Sequence, residues 1–330
     1  MSAWSERKLI DKIRQGARTE NSDVLLSIGD DCCELQTTAC TLISTDTLVE
    51  SIHFDTSFHP PYLLGRKSIA VNLSDIAAMG GRPRFVLLSL CLPEDLEWEW
   101  IKEWLDGALA ILQEYDCILV GGDTVKGKSL VFTITVLGEP LAANKAVCRS
   151  GAGVGDSVWV SGMLGSAGAG LALLNYGKNH SDFSIPSSMQ DLLDAHLNPF
   201  PCIELGQELA TSGYVTAMQD ISDGLATDLA HLCKASGVAA QIQADQLPRH
   251  AALAEAVDHL GGEVNDLILR AGEDYQLVFT VKKGAVQPFM ECMEQSKQNI
   301  TQIGTITEGT GVFLEDTEKV AEISFQGYEH

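Results

Sequence analysis

The sequence is poor in positive charge: 22 lysine and arginine residues stand against 45 aspartate and glutamate residues, a formal net charge of -23. A nucleic-acid partner wants a basic footprint, and an anionic membrane surface repels such a chain, so both are excluded as partners. Most of the acidic surplus serves solubility. No apolar run approaches the roughly 18 residues of a membrane span. The start, MSAWSERKLIDKIRQ, places charges where a signal peptide needs an apolar core. The 9 cysteines are odd in number and form no CxxC pair, which argues against a disulfide framework and against a zinc site. Cys32 and Cys33 are adjacent, yet no second pair or histidine cluster supports them. The expectation is a cytoplasmic protein with reduced thiols. Also missing are the closing Gly-Lys-Ser/Thr of a Walker A loop, a clean GxGxxG, EF-hand spacing, and a serine or cysteine nucleophile with a histidine partner.

What is present begins with length. At 330 residues two domains are expected. Residues 142 to 156, AANKAVCRSGAGVGD, are rich in glycine and small residues, and divide the chain into 1–148 and 149–330. Strands alternate with helices but also follow one another directly, which favours α+β over a doubly wound parallel sheet. The spacing of Ile69, Leu73, Ile76 and Ala77 predicts a buried helix over 66–81, stopped by Gly80, Gly81 and Pro83. Asn72 and Asp75 share a face of it. A carboxylate in such a setting is paired, protonated or bound to a metal.

Similar aspartates recur. Residues 24 to 35 give a strand that breaks at Gly29 into Asp30 and Asp31; the strand from Cys40 carries Ser44, Thr45 and Asp46, with His53 beyond. These are hard oxygen donors of the kind Mg²⁺ prefers. CILVGGDTVKG, 117 to 127, reads as a strand, two glycines and Asp123, either a tight turn or a place where phosphate approaches backbone. Arg149 either serves a phosphate or makes a surface ion pair. Residues 156 to 174 run from a strand through a glycine-rich turn into a helix whose N-terminus suits an anion. Residues 177 to 188 read as a loop. In DISDGL, Asp220, Ser222 and Asp223 precede a helix, and one of them serves as its cap. Glu273 and Asp274 stand at the mouth of a strand. If the aspartates converge, their repulsion calls for several cations, and several Mg²⁺ ions most often bridge polyphosphate oxygens.

The set IGDD (28–31), STDTLVESIHF (44–54), AVNLSDIAAMGG (70–81), GGDT (121–124), RSGAGVGD (149–156), DISDGL (220–225) and GEDYQL (272–277), in this order and spanning nearly the whole chain, resembles the thiamine-monophosphate kinase family. That family belongs to the superfamily of aminoimidazole ribonucleotide synthetases and selenophosphate synthetases. The resemblance implies a two-domain PurM-like fold, an N-terminal half forming a dimeric β-barrel-like interface, a C-terminal α/β half that completes the nucleotide and substrate site, and a homodimer. It implies ATP- and Mg²⁺-dependent phosphorylation of thiamine monophosphate to thiamine diphosphate by direct γ-phosphoryl transfer. Carried over by motif, Asp30, Asp31, Ser44, Thr45, Asp46, Asp75, Asp123, Asp220 and Asp223 are magnesium ligands, with Asp31 acting through water or as a structural partner. Trp104, Gly122, Asp123, Arg149 and Ser222 contact ATP. His53, Glu273 and Tyr328 contact the thiamine phosphate. Asp46, Asp75, Asp123 and Arg149 form the catalytic set. Trp104 is either the adenine platform or an ordinary core tryptophan, and Tyr328 either stacks on substrate or lies in a disordered tail. Within the superfamily, a hydrogenase-maturation dehydratase fits less well because its C-terminal cysteine is missing; a selenophosphate synthetase fits less well because Cys32 and Cys33 sit in the wrong context. A non-catalytic cation- or nucleotide-binding protein is the reading from another class, and ATP turnover separates it from a kinase.

Overall fold

The computed structural model of the chain describes residues 5–17, 21–28, 33–37, 40–141, 145–180, 182–294, 296, 299–316 and 319–328. The chain divides into two compact units, one of residues 1–76 with 81–144 and one of residues 77–80 with 145–330.

The first unit runs α1 (Glu6–Gly16), β1 (Val24–Leu26), β2 (Glu34–Leu35), β3 (Leu42–Val49), α2 (Pro61–Ala78), β4 (Gly81–Pro93), α3 (Trp98–Glu114), β5 (Ile118–Gly127) and β6 (Val131–Pro140). β1 and β2 form a small antiparallel pair, and the other four strands make an open sheet in the order β3-β6-β4-β5, with β3 and β5 at its edges. Only the β4·β5 pair is parallel. α2 opens on Pro61, whose fixed φ and missing N–H suit a first turn. It is buried nearly throughout because small and apolar residues occupy every side of it, Ala70, Leu73, Ile76 and Ala77 among them. The alternation of β6 is regular: Phe132, Ile134 and Val136 are buried, while Val131, Thr133 and Thr135 are only half-buried.

The GGDT motif is not a loop. Gly121, Gly122 and Asp123 lie within β5, in register with Leu87, Leu88 and Ser89 of β4. A side chain at Gly122 would meet the Leu88 carbonyl at 1.9 Å, so this glycine serves a close approach of two strands.

The second unit runs β7 (Ser157–Ser161), α4 (Ser166–Asn179), α5 (Gln190–Leu197), α6 (Ile203–Ser212), β8 (Val215–Ile221), α7 (Leu225–Ser236), β9 (Ala239–Gln243), α8 (Ala252–Leu260), α9 (Val264–Arg270), β10 (Gln276–Val281), α10 (Val286–Met293), β11 (Ile300–Thr307), β12 (Gly311–Glu315) and β13 (Val320–Glu322). Its seven strands form one sheet in the order β13-β12-β9-β11-β7-β10-β8. All pairs are antiparallel except β12·β9. The mixed α+β class is what the chain shows, and consecutive strands are the reason. α4 continues through Asn179, so the expected loop over 177–188 starts later than the polar composition suggests. No helix among the described residues is long and apolar enough to cross a membrane, and the eight described cysteines are all free thiols.

Candidate active site

In the first unit, strand alternation turns Ser44 and Asp46 of β3 toward one face and Thr45 toward the other. The Ser44 hydroxyl donates to the Asp75 carboxylate of α2. One turn earlier on the same helix, the Asn72 carbonyl oxygen accepts the Asp46 amide at 3.0 Å, and its Nδ2 donates to the Ser68 carbonyl at 3.1 Å. Asn72 is fully buried, so it acts as a fixed peg between strand and helix. Asp46 and Asp75 remain half-buried, which keeps their carboxylates reachable. Hard oxygens in this setting fit Mg²⁺.

Thr45 does not join them. Its hydroxyl donates to the Ile134 carbonyl at 3.0 Å and meets the Thr135 hydroxyl at 3.0 Å on the opposite sheet face. Asp123 is exposed on β5, its Oδ1 accepting the Thr124 amide at 2.9 Å. Because β3 and β5 are three strand spacings apart, the Asp46 and Asp123 backbones stand about 14 Å from each other. Consistent with that spacing, no three Asp, Glu, His or Cys side chains among the described residues form a metal cage. Asp30 and Asp31 lie outside the described residues. His53 follows β3 and accepts the Val49 amide on Nδ1 at 3.0 Å, which leaves the proton on Nε2.

Trp104 is a core residue. It is 1 % exposed and stacks on Phe132 with ring centroids 4.5 Å apart, presenting no ring face to a nucleotide. The apolar face of α3 claims it, and periodicity alone cannot separate a core indole from a platform.

In the second unit, α7 organises the chemistry at both ends. At its start, the carboxylate of Asp228, 1 % exposed, accepts the amides of Ser222 and Asp223 at 3.0 and 2.9 Å and the Gln219 side-chain amide at 2.8 Å. The DISDG loop is thereby wrapped around a buried acid. Burial, then the charges of Asp220 and Asp223, pushes Asp228 up to about 8 against the pull of the two backbone amides. At the other end of α7, the Ser236 hydroxyl accepts the amides of Gly151 and Ala152 at 3.1 and 3.2 Å and donates to the Arg149 carbonyl at 3.1 Å. Arg149 and Asp223 both reach His231 of α7 electrostatically; burial first and then Arg149 lower that imidazole's pKa, while Asp223 raises it. The C-terminal segment closes on the same loop: the Tyr328 amide donates to the Asp223 carbonyl and the Gly327 amide to Thr227 Oγ1, each at 2.8 Å. Tyr328 itself is half-exposed.

The glycine-rich turn before α4 is already occupied by a carboxyl group of the chain itself. Asp274 places its carboxylate on the amides of Gly165 and Ala167 at 2.7 and 3.1 Å. Burial pushes its carboxyl up to about 7 in spite of those donors. The neighbouring Glu273 instead meets His196 Nδ1 at 3.0 Å. Asp228 and His196 escaped the sequence. An acidic residue in a helix's first turn reads as dipole complement, and His196 sits in no motif.

Two family models match the chain: AIR synthase related protein, N-terminal domain, over residues 29–139, and AIR synthase related protein, C-terminal domain, over residues 153–317. The thiamine-monophosphate kinase of Salmonella typhimurium is 37 % identical over 344 residues, covering 99 % of this chain and 98 % of that protein. The crystal structure of thiamine-monophosphate kinase from Stenotrophomonas maltophilia superposes with a TM-score of 0.83 at 37 % identity, covering 94 % of this chain and 96 % of that one. AaThiL complexed with AMPPCP and TMP superposes with a TM-score of 0.75 at 35 % identity, covering 95 % of each chain. With both domains matched, and relatives this similar aligned end to end, the chain belongs to the AIR synthase related family and, within it, to the thiamine-monophosphate kinases.

Proposed function

We propose that the chain transfers the γ-phosphoryl group of ATP to the phosphate of thiamine monophosphate, giving thiamine diphosphate and ADP. The observation that carries this reading is the Ser44, Asp46, Asn72 and Asp75 arrangement: two half-buried acids, the Asp75 carboxylate held by the Ser44 hydroxyl and the Asp46 backbone pinned by buried Asn72, in a chain that aligns throughout with thiamine-monophosphate kinases. An oxygen of the acceptor phosphate attacks the γ-phosphorus as the bond to the β,γ-bridging oxygen breaks, and ADP leaves with that electron pair. The acceptor is already anionic, so no general base is required.

In the first unit Asp46 and Asp75, with Ser44 fixing Asp75, and separately Asp123, would hold magnesium ions. In the second unit Asp220 and Asp223 would do so, Asp228 keeping their loop in shape. Magnesium, when bound, offsets the triphosphate charge that the chain's net charge of -23 would otherwise repel. Asp30 and Asp31 belong to the same proposed set by motif. Arg149 offsets charge developing on the transferred group, and Gly122 and Ser222 contact ATP through backbone or hydroxyl. His53, with its Nε2 proton, Glu273 and Tyr328 contact thiamine monophosphate. Trp104 has no part in this, and Thr45 contributes no side chain.

The active form is a homodimer in the cytoplasm, where the thiols stay reduced. On the open sheet of the first unit, Ile43 and Val125 are 67 % and 48 % exposed, on the face that also carries the threonine pairs Thr45–Thr135 and Thr47–Thr133. A second copy of this face would bury them, and light scattering should then report twice the chain mass. The reaction is tested by mixing purified protein with ATP, Mg²⁺ and thiamine monophosphate, with thiamine and magnesium-free controls. Equal amounts of thiamine diphosphate and ADP from the monophosphate alone are expected. ADP without thiamine diphosphate would move the acceptor elsewhere in the superfamily, and no ADP would leave a binding protein.

A further inference from the structure

We infer that His196 is a positioning residue for thiamine monophosphate, acting through the carboxylate of Glu273. This rests on the kinase reading above and adds to it which end of the substrate Glu273 takes.

His196 lies in the last turn of α5 and is 1 % exposed. Its Nδ1 stands 3.0 Å from Glu273 Oε2, whereas the Glu273 side chain is 26 % exposed. One end of this contact is sealed in the core and the other reaches the surface. An imidazole in that position fixes a carboxylate's rotamer without itself meeting a ligand.

The backbone adds a second, independent constraint. Glu273 and Tyr275 both have positive φ, 66° and 49°. Left-handed backbone at residues other than glycine persists where the surroundings over-determine it, and it concentrates at ligand sites. Here the surroundings are explicit. The Glu273 amide donates to the Ser222 carbonyl at 2.8 Å and the Tyr275 amide to the Ile221 carbonyl at 2.9 Å. Between them Asp274 is inserted into the start of α4. The loop therefore aims the Cα–Cβ bond of Glu273, and His196 aims the carboxylate at its far end.

A carboxylate so fixed does not suit the phosphate of the substrate, which it repels. It suits the cationic, amino-bearing ring system at the other end of thiamine monophosphate. His196 thereby becomes a determinant of affinity for the thiamine moiety, with no bearing on ATP.

The test is steady-state kinetics on the full-length wild type, His196→Ala, His196→Asn, Glu273→Gln and the His196→Ala/Glu273→Gln double variant, varying thiamine monophosphate and ATP separately. His196→Ala is expected to raise the KM for thiamine monophosphate about tenfold, the order of one charge-assisted hydrogen bond, while kcat and the KM for ATP stay within about twofold. His196→Asn, whose amide can donate from near the Nδ1 position, should recover most of the loss. The double variant should match Glu273→Gln alone, since an imidazole with no carboxylate to orient has nothing left to do. An unchanged KM for thiamine monophosphate in His196→Ala would overturn the inference; so would losses that spread over kcat and both KM values and multiply in the double variant. Should His196→Ala fail to fold, His196→Asn and Glu273→Gln carry the comparison, and a Glu273→Gln with normal KM for thiamine monophosphate overturns it equally. A wild type that makes no thiamine diphosphate overturns the kinase reading instead, before any variant is compared.

Discussion

The Ser44 hydroxyl donates to the Asp75 carboxylate across 31 positions of sequence, tying β3 to α2. An asparagine at 75 keeps an acceptor for that hydroxyl but loses the charge. Asp75→Asn should therefore reduce turnover of thiamine monophosphate on the order of 100-fold or more with little change in melting temperature. Coupled ADP release and thermal unfolding measured on one preparation check both halves, and an active, folded Asp75→Asn would remove Asp75 from the site.

Asp228 offers an internal comparison. In Asp228→Asn the new amide can still accept from Ser222 and Asp223 with its oxygen, and a flip of the Gln219 amide restores the remaining bond. Asp228→Ala leaves those two backbone amides unsatisfied, at about 1–3 kcal/mol each. Urea unfolding should rank wild type and Asp228→Asn together and Asp228→Ala well below them. Equal stabilities would mean that the DISDG loop does not depend on this acid.

Asp274 predicts a pH dependence. Its folded pKa of about 7 lies above that of an unfolded aspartate, about 3.9, so the folded state binds the extra proton. The stability this contributes is fully present below about pH 4 and is lost as pH rises through about 7, at up to ~1.4 kcal/mol per pH unit. Denaturant midpoints between pH 5 and 8, in chelator to keep cations away, should fall more steeply for wild type than for Asp274→Asn. Parallel profiles would count against this group.

A Cβ at Gly327 would meet the Asp223 carbonyl at 2.2 Å. Gly327→Ala should lift the C-terminal segment off its loop, carry Tyr328 away and raise the KM for thiamine monophosphate. The core should stay intact, because the residues on either side, Gln326 and Tyr328, are exposed. Kinetics indistinguishable from wild type would show that the docked tail is dispensable for binding.

Trp104→Phe should lower stability by about 1–3 kcal/mol through lost packing on Phe132 and leave the KM for ATP unchanged. A selective rise in that KM would restore Trp104 to the nucleotide site.

Much of this arrangement was legible in the residues. The period of Ile69, Leu73 and Ile76 is strong enough to locate α2, and Asn72 and Asp75 fall on its working face whatever the exact ends. The alternation of β3 likewise contains the separation of Thr45 from Ser44 and Asp46, although a motif read as a block conceals it. GGDT misleads because two glycines and an aspartate are the usual material of turns, and only the partner strand reveals that Gly122 is there to admit Leu88. His196 could not be found at all. Its contact joins positions 77 residues apart through a helix whose sequence is ordinary, and nothing local marks it. Asp228 is hidden differently, since its type is expected where it stands and only its burial makes it unusual.

Asp274 at the start of α4 also bears on what the protein ignores. Amide clusters at helix starts scavenge small anions, and a solution that holds nucleotides also holds inorganic phosphate. By docking its own carboxyl group on that turn the chain occupies one such cluster, so a glycine-rich approach that resembles an invitation to phosphate is already filled from within.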